Sequence, residues 1–411
     1  MASVTAIPSN ESEPVSAPAR GGGHAVVAAF LGWTLDAFDF FVLVFVIPAI
    51  AKEFDRPIAH IAYTITLTLA FRPLGALIFG SMADRYGRRA PLMINVVLFA
   101  LLGALSGLAP NYTTFLVVRA LFGVAMGGEW GVGASLAMEA VAPGRRGLVS
   151  GVLQEGYAVG YLLAAAAYYL VFPRFGWRAM FFVGGLPALL ALYIRSKVPE
   201  SKAWQHQRPN AAAIRRAVSS NISPLIYLVV LMTAMNFISH GTQDMYPTFL
   251  QNQRRLAPRP VATIAIIYNL GALGGGLCFG HLSDRLGRRR TMLAAVIFGL
   301  ALVPLWIFSH SLMWLTLGAF LMQFMVQGAW GVIPAHLTEL SPGEVRGLFP
   351  GLAYQLGVLF ASGIAWFEAL LAARFDYATA LATVAATAFV FAGVVIACGR
   401  ERFGADFHAL T

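Results

Sequence analysis

Apolar residues along this chain gather in long runs separated by short polar clusters. A helix that crosses a bilayer needs about 20 mostly apolar residues. Runs of that length lie near 25–50, 60–82, 91–110, 113–140, 148–171 and 177–196, and again near 223–250, 261–282, 291–309, 312–338, 347–370 and 378–398. The stretch 197–222 parts the two sets; it carries Lys197, Lys202, Arg208, Arg215 and Arg216, with Pro199 and Pro209. The pattern predicts an all-α membrane protein, twelve transmembrane helices in two six-helix halves at 25–196 and 223–398. A linker, 197–222, joins the halves, and a tail, 399–411, follows them. Residues 1–24, rich in Ser, Pro, Ala and Gly, read as a disordered tail. They lack the charged start, short apolar stretch and small-residue site of a cleaved signal peptide.

Composition supports lipid as the solvent. Hydrophobic residues make up 58% of the 411 residues and charged residues 12%, about half the roughly 25% of soluble domains. Mean hydropathy is +0.70. A soluble enzyme, a disordered protein and a secreted disulfide scaffold are excluded. Cys278 and Cys398 sit in apolar runs without a CxxC partner and read as small buried hydrophobes. Neither a metal site nor a cofactor is expected.

The net charge of +10 is a topology signal rather than a sign of nucleic acid. Of 29 Lys and Arg, 19 fall on the side of the tails and the linker, 8 on the other side, and Arg72 and Arg119 inside spans. The positive-inside rule then puts both termini in the cytoplasm. The expected location is the plasma membrane, the inner membrane if the cell is bacterial, and the expected working unit is a monomer.

The halves repeat in sequence. Gly80-Ser-Met-Ala-Asp84-Arg85-Tyr-Gly87-Arg88-Arg89 recurs 200 residues later as Gly280-His-Leu-Ser-Asp284-Arg285-Leu-Gly287-Arg288-Arg289. At the same offset Gly128-Glu129-Trp130-Gly131 matches Gly328-Ala329-Trp330-Gly331, Glu139 matches Glu339, and Arg146-Gly147 matches Arg346-Gly347. Parallel six-helix repeats are a transporter architecture of alternating access. The G-x-x-x-D-R-x-G-R-R loop, doubled at the same place in each half, resembles the signature of the major facilitator superfamily, over almost the whole chain beyond the N-terminal tail. That resemblance implies a gradient-driven secondary transporter. Gly87 and Gly287 permit tight turns. Asp84 and Asp284, with the loop arginines Arg85, Arg88, Arg285 and Arg288, can pair with charges at neighbouring helix ends, where Glu139 and Glu339 are the obvious partners. Such pairs would form a cytoplasmic gate that breaks on opening; the plainer alternative is that these arginines only set topology.

Ionisable groups at bilayer depth are functional candidates, because each costs roughly 2.5–3.5 kcal/mol on insertion scales. Asp36 and Asp39 share a helix face at i, i+3, with Asp36 about 16 Å into the first span at 1.5 Å per residue. Two carboxylates so close should not both stay ionised. Arg72 lies about 18 Å from the cytoplasmic end of the second span and needs a carboxylate, whether Asp36, Asp39 or a substrate. Arg119 falls near the outer surface and is expected to snorkel. Glu129 is mid-membrane, and Glu155 is nearer the cytoplasm, with Gln355 as its repeat mate. In the seventh span Asn236, His240, Asp244 and Thr248 recur at i+4, with Ser239 and Gln243 beside them. This polar stripe must face a central cavity. Under the 200-residue offset Asn236 and Ser239 correspond to Asp36 and Asp39, so both halves are expected to bring polar faces to one place.

The stripe resembles, position for position, the N-x-x-[ST]-H-x-[ST]-Q-D-x-x-x-T motif of the lactate/pyruvate permeases in the sialate:proton symporter branch. Leu35-Asp36-Ala-Phe-Asp39-Phe-Phe and Tyr354-Gln355-Leu-Gly also look like that branch. The resemblance implies symport of a short monocarboxylate with a proton. It gives Asn236, His240, Gln243 and Gln355 substrate roles, beside Arg72, and His240 and Asp244 the proton role. Asp36, Asp39 and Glu129 remain alternative proton carriers. The alternatives in substrate are sialic acid, an aromatic acid or muconate; the alternative in class is a membrane sensor that transports nothing. No nucleophile and base pair, metal set or nucleotide loop points to an enzyme.

Overall fold

The computed structural model describes residues 22–185 and 188–407. Among them the chain is helical, and no strand occurs. The first half contains α1 (Gly22–Glu53), α2 (Ile58–Tyr86), α3 (Arg89–Gly107), α4 (Tyr112–Ala140), α5 (Arg146–Gln154), α6 (Gly156–Leu170), α7 (Phe172–Val183) and α8 (Ala188–Lys197). The linker folds as α9 (Lys202–Gln207) and α10 (Ala211–Ser220). The second half contains α11 (Ile222–Gln243), α12 (Tyr246–Asn252), α13 (Pro258–Leu286), α14 (Arg288–Phe308), α15 (Leu312–Leu340), α16 (Phe349–Ala361), α17 (Ile364–Arg374) and α18 (Tyr377–Cys398).

Among the described residues, eleven helical segments are long and apolar enough to cross a membrane. The expected sixth span, 177–196, is divided between α7 and α8, around residues outside the described set. Three other spans are broken: the fifth at Glu155, the seventh at Asp244–Met245 and the eleventh at Ser362–Gly363. Most of the expected N-terminal tail, residues 1–21, also lies outside the described residues, and Gly22–His24 already belong to α1.

The repeat extends to the details that end helices. Asn111 caps α4 by accepting from the Thr114 N–H at 2.9 Å, and its mate 200 residues on, Ser311, caps α15 by accepting from Trp314. Gly87 and Gly287 follow α2 and α13 with φ of 98° and 91°, the left-handed region that a side chain resists. Glu200 accepts from the Arg88 N–H at 2.8 Å, and Glu401 accepts from the Arg289 N–H at 2.9 Å, so each half closes its second loop the same way. Asp376 caps α18 through the Thr379 N–H. That bond, with Gln253, holds its carboxyl below the usual carboxylate range.

Leu162, Tyr169, Ile266, Ile297, Val394 and many other large apolar side chains are exposed, as expected of helices solvated by lipid. Cys278 and Cys398 belong with them: both are exposed, where burial was expected. Each half has its own packed interior, and the halves meet at the end that carries the linker. There glycines replace side chains. Gly131 of α4 meets Gly351 of α16, Gly147 meets Gly280 of α13, and Gly151 of α5 meets Gly276 of α13. A methyl group on Gly131 would overlap the Gly351 backbone. Helices α1, α6 and α11 pack chiefly within their own halves, and the bonds and glycine contacts between halves gather at the linker end, from which we infer a cleft between the halves toward the other end.

Candidate substrate and proton site

At the linker end the halves are locked by two reciprocal carboxylates. Asp84 at the end of α2 accepts from the backbone N–H groups of Gly347 and Leu348, ahead of α16, at 2.7 and 3.0 Å. Asp284 at the end of α13 accepts from Gly147 and Leu148, at the start of α5, at 2.8 and 2.9 Å. A carboxylate at a helix N-terminus meets unpaired donors and the positive end of the dipole. Arg88 bridges Asp84 and Glu139 within the first half; Arg288 bridges Asp284 and Glu339 within the second. Arg146 reaches Glu339 and Arg346 reaches Glu139 across the interface, each at 3.5 Å.

The expected gate residues Asp84, Arg88, Glu139, Asp284, Arg288 and Glu339 are therefore brought together. Arg85 and Arg285 are not: both are exposed, and the Arg85 guanidinium lies over the ring of its neighbour Tyr86. The expected pairing of the aspartates with charged groups was incomplete, since their partners across the interface are backbone N–H groups. Asp84→Asn removes charge from a buried anion site, so the variant is expected to raise the share of molecules open at the linker end by about tenfold, the size of one charge-assisted bond. Distances between spin labels on Tyr86→Cys and Leu286→Cys, in a chain with Cys278 and Cys398 replaced by Ser, measure it. An unchanged distance distribution leaves these loops with topology alone.

Above the closed end lies an aromatic floor. Tyr354 of α16 stacks on Trp130 of α4 with centroids 4.5 Å apart, and Trp33 of α1 and Trp330 of α15 meet its edge at 6.0 Å. Tyr157 of α6 stacks on Trp33. Trp130 and Trp330 were visible in the repeat without a role attached, and a role appears only when both halves supply rings to one layer. Gln154 accepts from Trp130 Nε1 at 3.1 Å.

Apart from the linker-end network and Glu155, the first half buries five charged groups, Asp36, Asp39, Arg72, Arg119 and Glu129. Arg72 Nη2 stands 3.7 Å from Asp36 Oδ2, with Nε and Nη2 making no hydrogen bond. Glu129 is fully buried against Gly32 of α1, where any larger residue would displace its carboxyl. Asp39 is turned away from this group, into the space left by Gly103 of α3 and Gly184. Arg119, expected to snorkel at the surface, is instead fully buried. Its guanidinium lies 4.0 Å over the Phe122 ring, within electrostatic reach of Asp39 and Asp36. Position along a helix had suggested the surface; the side chain points into the bundle because counter-charges wait there. Three carboxyls thus face two guanidinium groups, and both oxygens of Asp36, Asp39 and Glu129 are without hydrogen-bond partners.

The second half presents the stripe of α11. His240 Nδ1 is 3.1 Å from Asp244 Oδ2, and their side chains are 40% and 38% exposed, so the pair opens to the cleft. An ionised carboxylate only accepts, so Nδ1 carries the hydrogen and Nε2 is left for other partners. Gln243 donates to Gln323 of α15 at 2.7 Å, and Gln323 donates to Thr242. Asn236 donates to Met232 within its own helix. Gln355 is buried with both amide atoms unpartnered. Helix α1 packs chiefly on α6 and α4, and α11 on α16 and α18, so Asp36 and Asp39 belong to one packing group and Asn236 and Ser239 to another. Tyr157 spans the gap: Arg72, Asp244 and Asp36 all act on it electrostatically.

Two buried carboxyls were missed or underread in the sequence. Glu368 of α17 lies near Gly241 with both oxygens unpartnered; a lone Glu in an apolar run late in a span gave no periodic signal. Glu155, at the break in the fifth span, faces Gly276 across the interface rather than a neighbour in its own half.

Residues 29–365 and 245–403 match the description of the Major Facilitator Superfamily. A carboxylic acid transporter protein homolog of Saccharomyces cerevisiae is 29% identical over 92% of this chain and 68% of its own length. A probable 4-methylmuconolactone transporter of Cupriavidus pinatubonensis is 31% identical, covering 89% of this chain and 87% of its own. The sialic acid transporter NanX of Escherichia coli is 31% identical, with 81% and 83% covered. Among solved structures, the proton:xylose symporter XylE has a TM-score of 0.72 at 17% identity, covering 95% of this chain and 98% of that one. That likeness concerns the fold.

Proposed function

The chain belongs to the Major Facilitator Superfamily and is a multi-pass membrane transporter; we propose that it carries an organic acid with one carboxylate into the cell together with a proton, by alternating access. The finer reading is a short monocarboxylate of the lactate or pyruvate type. The linker face is the cytoplasmic one in this reading, in line with the excess of Lys and Arg there. The described state, shut at the linker end with His240 and Asp244 open to the cleft, is then the one that receives substrate from outside.

The observation that carries this reading is Arg72, a buried guanidinium with unpartnered nitrogens and a carboxylate just beyond hydrogen-bond distance. Three acids against two bases leave one carboxyl without a counter-charge. A proton on Asp36 frees Arg72 for a substrate carboxylate, which takes the fork in its place. Proton and anion then depend on each other through Arg72, once the proton has reached Asp36. The His240–Asp244 pair, open to the cleft, is the favoured entry group for the proton, with Asp36, Asp39 and Glu129 behind it. Asn236, Gln243 and Gln355 bound the remaining polar surface offered to the substrate.

A bulkier, unsaturated or ring-bearing acid is the second reading. It is favoured by Tyr157, 44% exposed and stacked on the buried layer of Trp33, Trp130 and Tyr354, which offers an apolar ring to a substrate. Two named cargoes of relatives, a methylmuconolactone and sialic acid, are ring-bearing acids and side with this second reading, whereas the carboxylic acid transporter homolog is compatible with either. Purified protein in liposomes, given labelled lactate, pyruvate, sialic acid, muconate and benzoate with and without an inward proton gradient, decides. Lactate or pyruvate is expected to accumulate only with the gradient. Accumulation of muconate or benzoate alone replaces the finer reading with the second, and no gradient-dependent acid uptake overturns both.

A further inference from the structure

The last described residues, 399–407, do not hang free of the fold. Glu401 ties the start of this segment to α14 through the Arg289 N–H. Phe403 lies beneath the Arg288 guanidinium at 5.0 Å. Gly404 then adopts a φ of 75°, a left-handed turn that redirects the chain. Beyond that turn the segment leaves the second half and meets the first. Arg146 Nη1 donates to the Ala405 carbonyl at 2.6 Å. Phe407, 1% exposed, fills a seam lined by Ala29, Ala137, Met138 and Leu153 of the first half, Ala335 of the second, and Ala203 of the linker.

The Phe407 ring sits between two guanidinium groups, Arg146 at 3.4 Å and Arg346 at 4.0 Å. These are the arginines that cross between the halves, Arg146 to Glu339 and Arg346 to Glu139. One belongs to each half. Their joint stacking on one ring therefore exists only while the halves are together at the linker end. We propose that residues 401–407 form a clasp that recognises the closed linker end and adds to its stability, so that undocking of Phe407 is a step in opening. A segment that binds one of two states shifts the balance toward it by its differential affinity alone. The same coupling must hold in reverse: anything that opens the linker end releases the clasp. This inference needs only the two-state closure, not the identity of the acid or the proton site.

The test uses full-length protein in liposomes with spin labels on Tyr86→Cys and Leu286→Cys and the native cysteines replaced by Ser. Phe407→Ala is expected to raise the open-to-closed ratio at the linker end by at least about tenfold, the scale of the two cation–π contacts alone. A chain ending after Arg402 is expected to do the same, and Phe407→Tyr, which keeps the stacking, is expected to stay at the wild-type ratio. A second label on Ala405→Cys is expected to gain mobility in Asp84→Asn, where the end opens for an unrelated reason. Unchanged ratios in both Phe407→Ala and the shortened chain overturn the proposal. So does a tail whose mobility is the same in the closed and opened populations.

Discussion

Arg72→Lys is expected to keep the protein folded and in the membrane while lowering acid uptake about a hundredfold, equivalent to roughly 2.7 kcal/mol at 1.36 kcal/mol per decade. The size is that of disturbing a buried, hydrogen-bonded charge pair. Lysine retains the positive charge and so leaves the balance with Asp36 and Glu129 intact. What it loses is the planar fork that meets a carboxylate with two parallel bonds. Arg72 has room for such a partner, since its Nε and Nη2 bond to nothing and Asp36 stands 3.7 Å away. Initial uptake rates in liposomes at several acid concentrations check this. Near-normal rates would move the anion site elsewhere, and the donors of the α11 stripe and Gln355 would be the next to change.

The second large effect concerns the driving force. Bringing an anion into a cell with a negative interior costs about 2.3 kcal/mol per 100 mV, and one accompanying proton removes that cost. Asp244→Asn is expected to abolish accumulation driven by a pH gradient while exchange of acid for acid across the same membrane continues. Exchange needs binding and rocking of the halves but no net proton movement. His240→Ala is expected to flatten or displace the pH profile of uptake, because histidine is the side chain whose charge changes near physiological pH. If both variants accumulate acid like the wild type with one proton each, the coupling group is elsewhere, and Asp36 and Glu129, buried without hydrogen-bond partners, are the places to look.

These two effects separate what each half contributes. The first half holds fixed charge in excess of its counter-charges, Asp36, Asp39 and Glu129 against Arg72 and Arg119. The second half exposes a titratable pair at the break between α11 and α12. Neither is a complete coupling device alone. Tyr157 and the aromatic floor lie between them, and the layer of rings includes residues from both halves. Closure at the linker end uses a different chemistry, carboxylates on helix N-termini, which can break and reform without a proton.

Much of this was legible in the chain because the relevant rules are local. Lipid rewards long apolar runs, so the spans could be drawn from composition along the chain. The repeat at an offset of 200 residues announced two equivalent halves, down to Gly87 and Gly287, whose positive φ a side chain would resist. A polar stripe at i, i+4 on an apolar helix had to face a cleft, and His240 and Asp244 do. Direction across a helix and distance between halves are not local, and there only the tertiary structure decided. Arg119 looked like a surface residue by its depth, yet it is buried because Asp39 and the Phe122 ring lie on its inward side. Arg85 and Arg285 share a motif with Arg88 and Arg288 but point outward, since one face of a helix end meets the other half and the other does not. Asp84 and Asp284 found backbone N–H groups, partners that no side-chain pattern can announce. The packing of residues 401–407 rests on the same reason: a polar, glycine-containing tail is featureless in sequence until two arginines, 200 residues apart, come to rest on either side of Phe407.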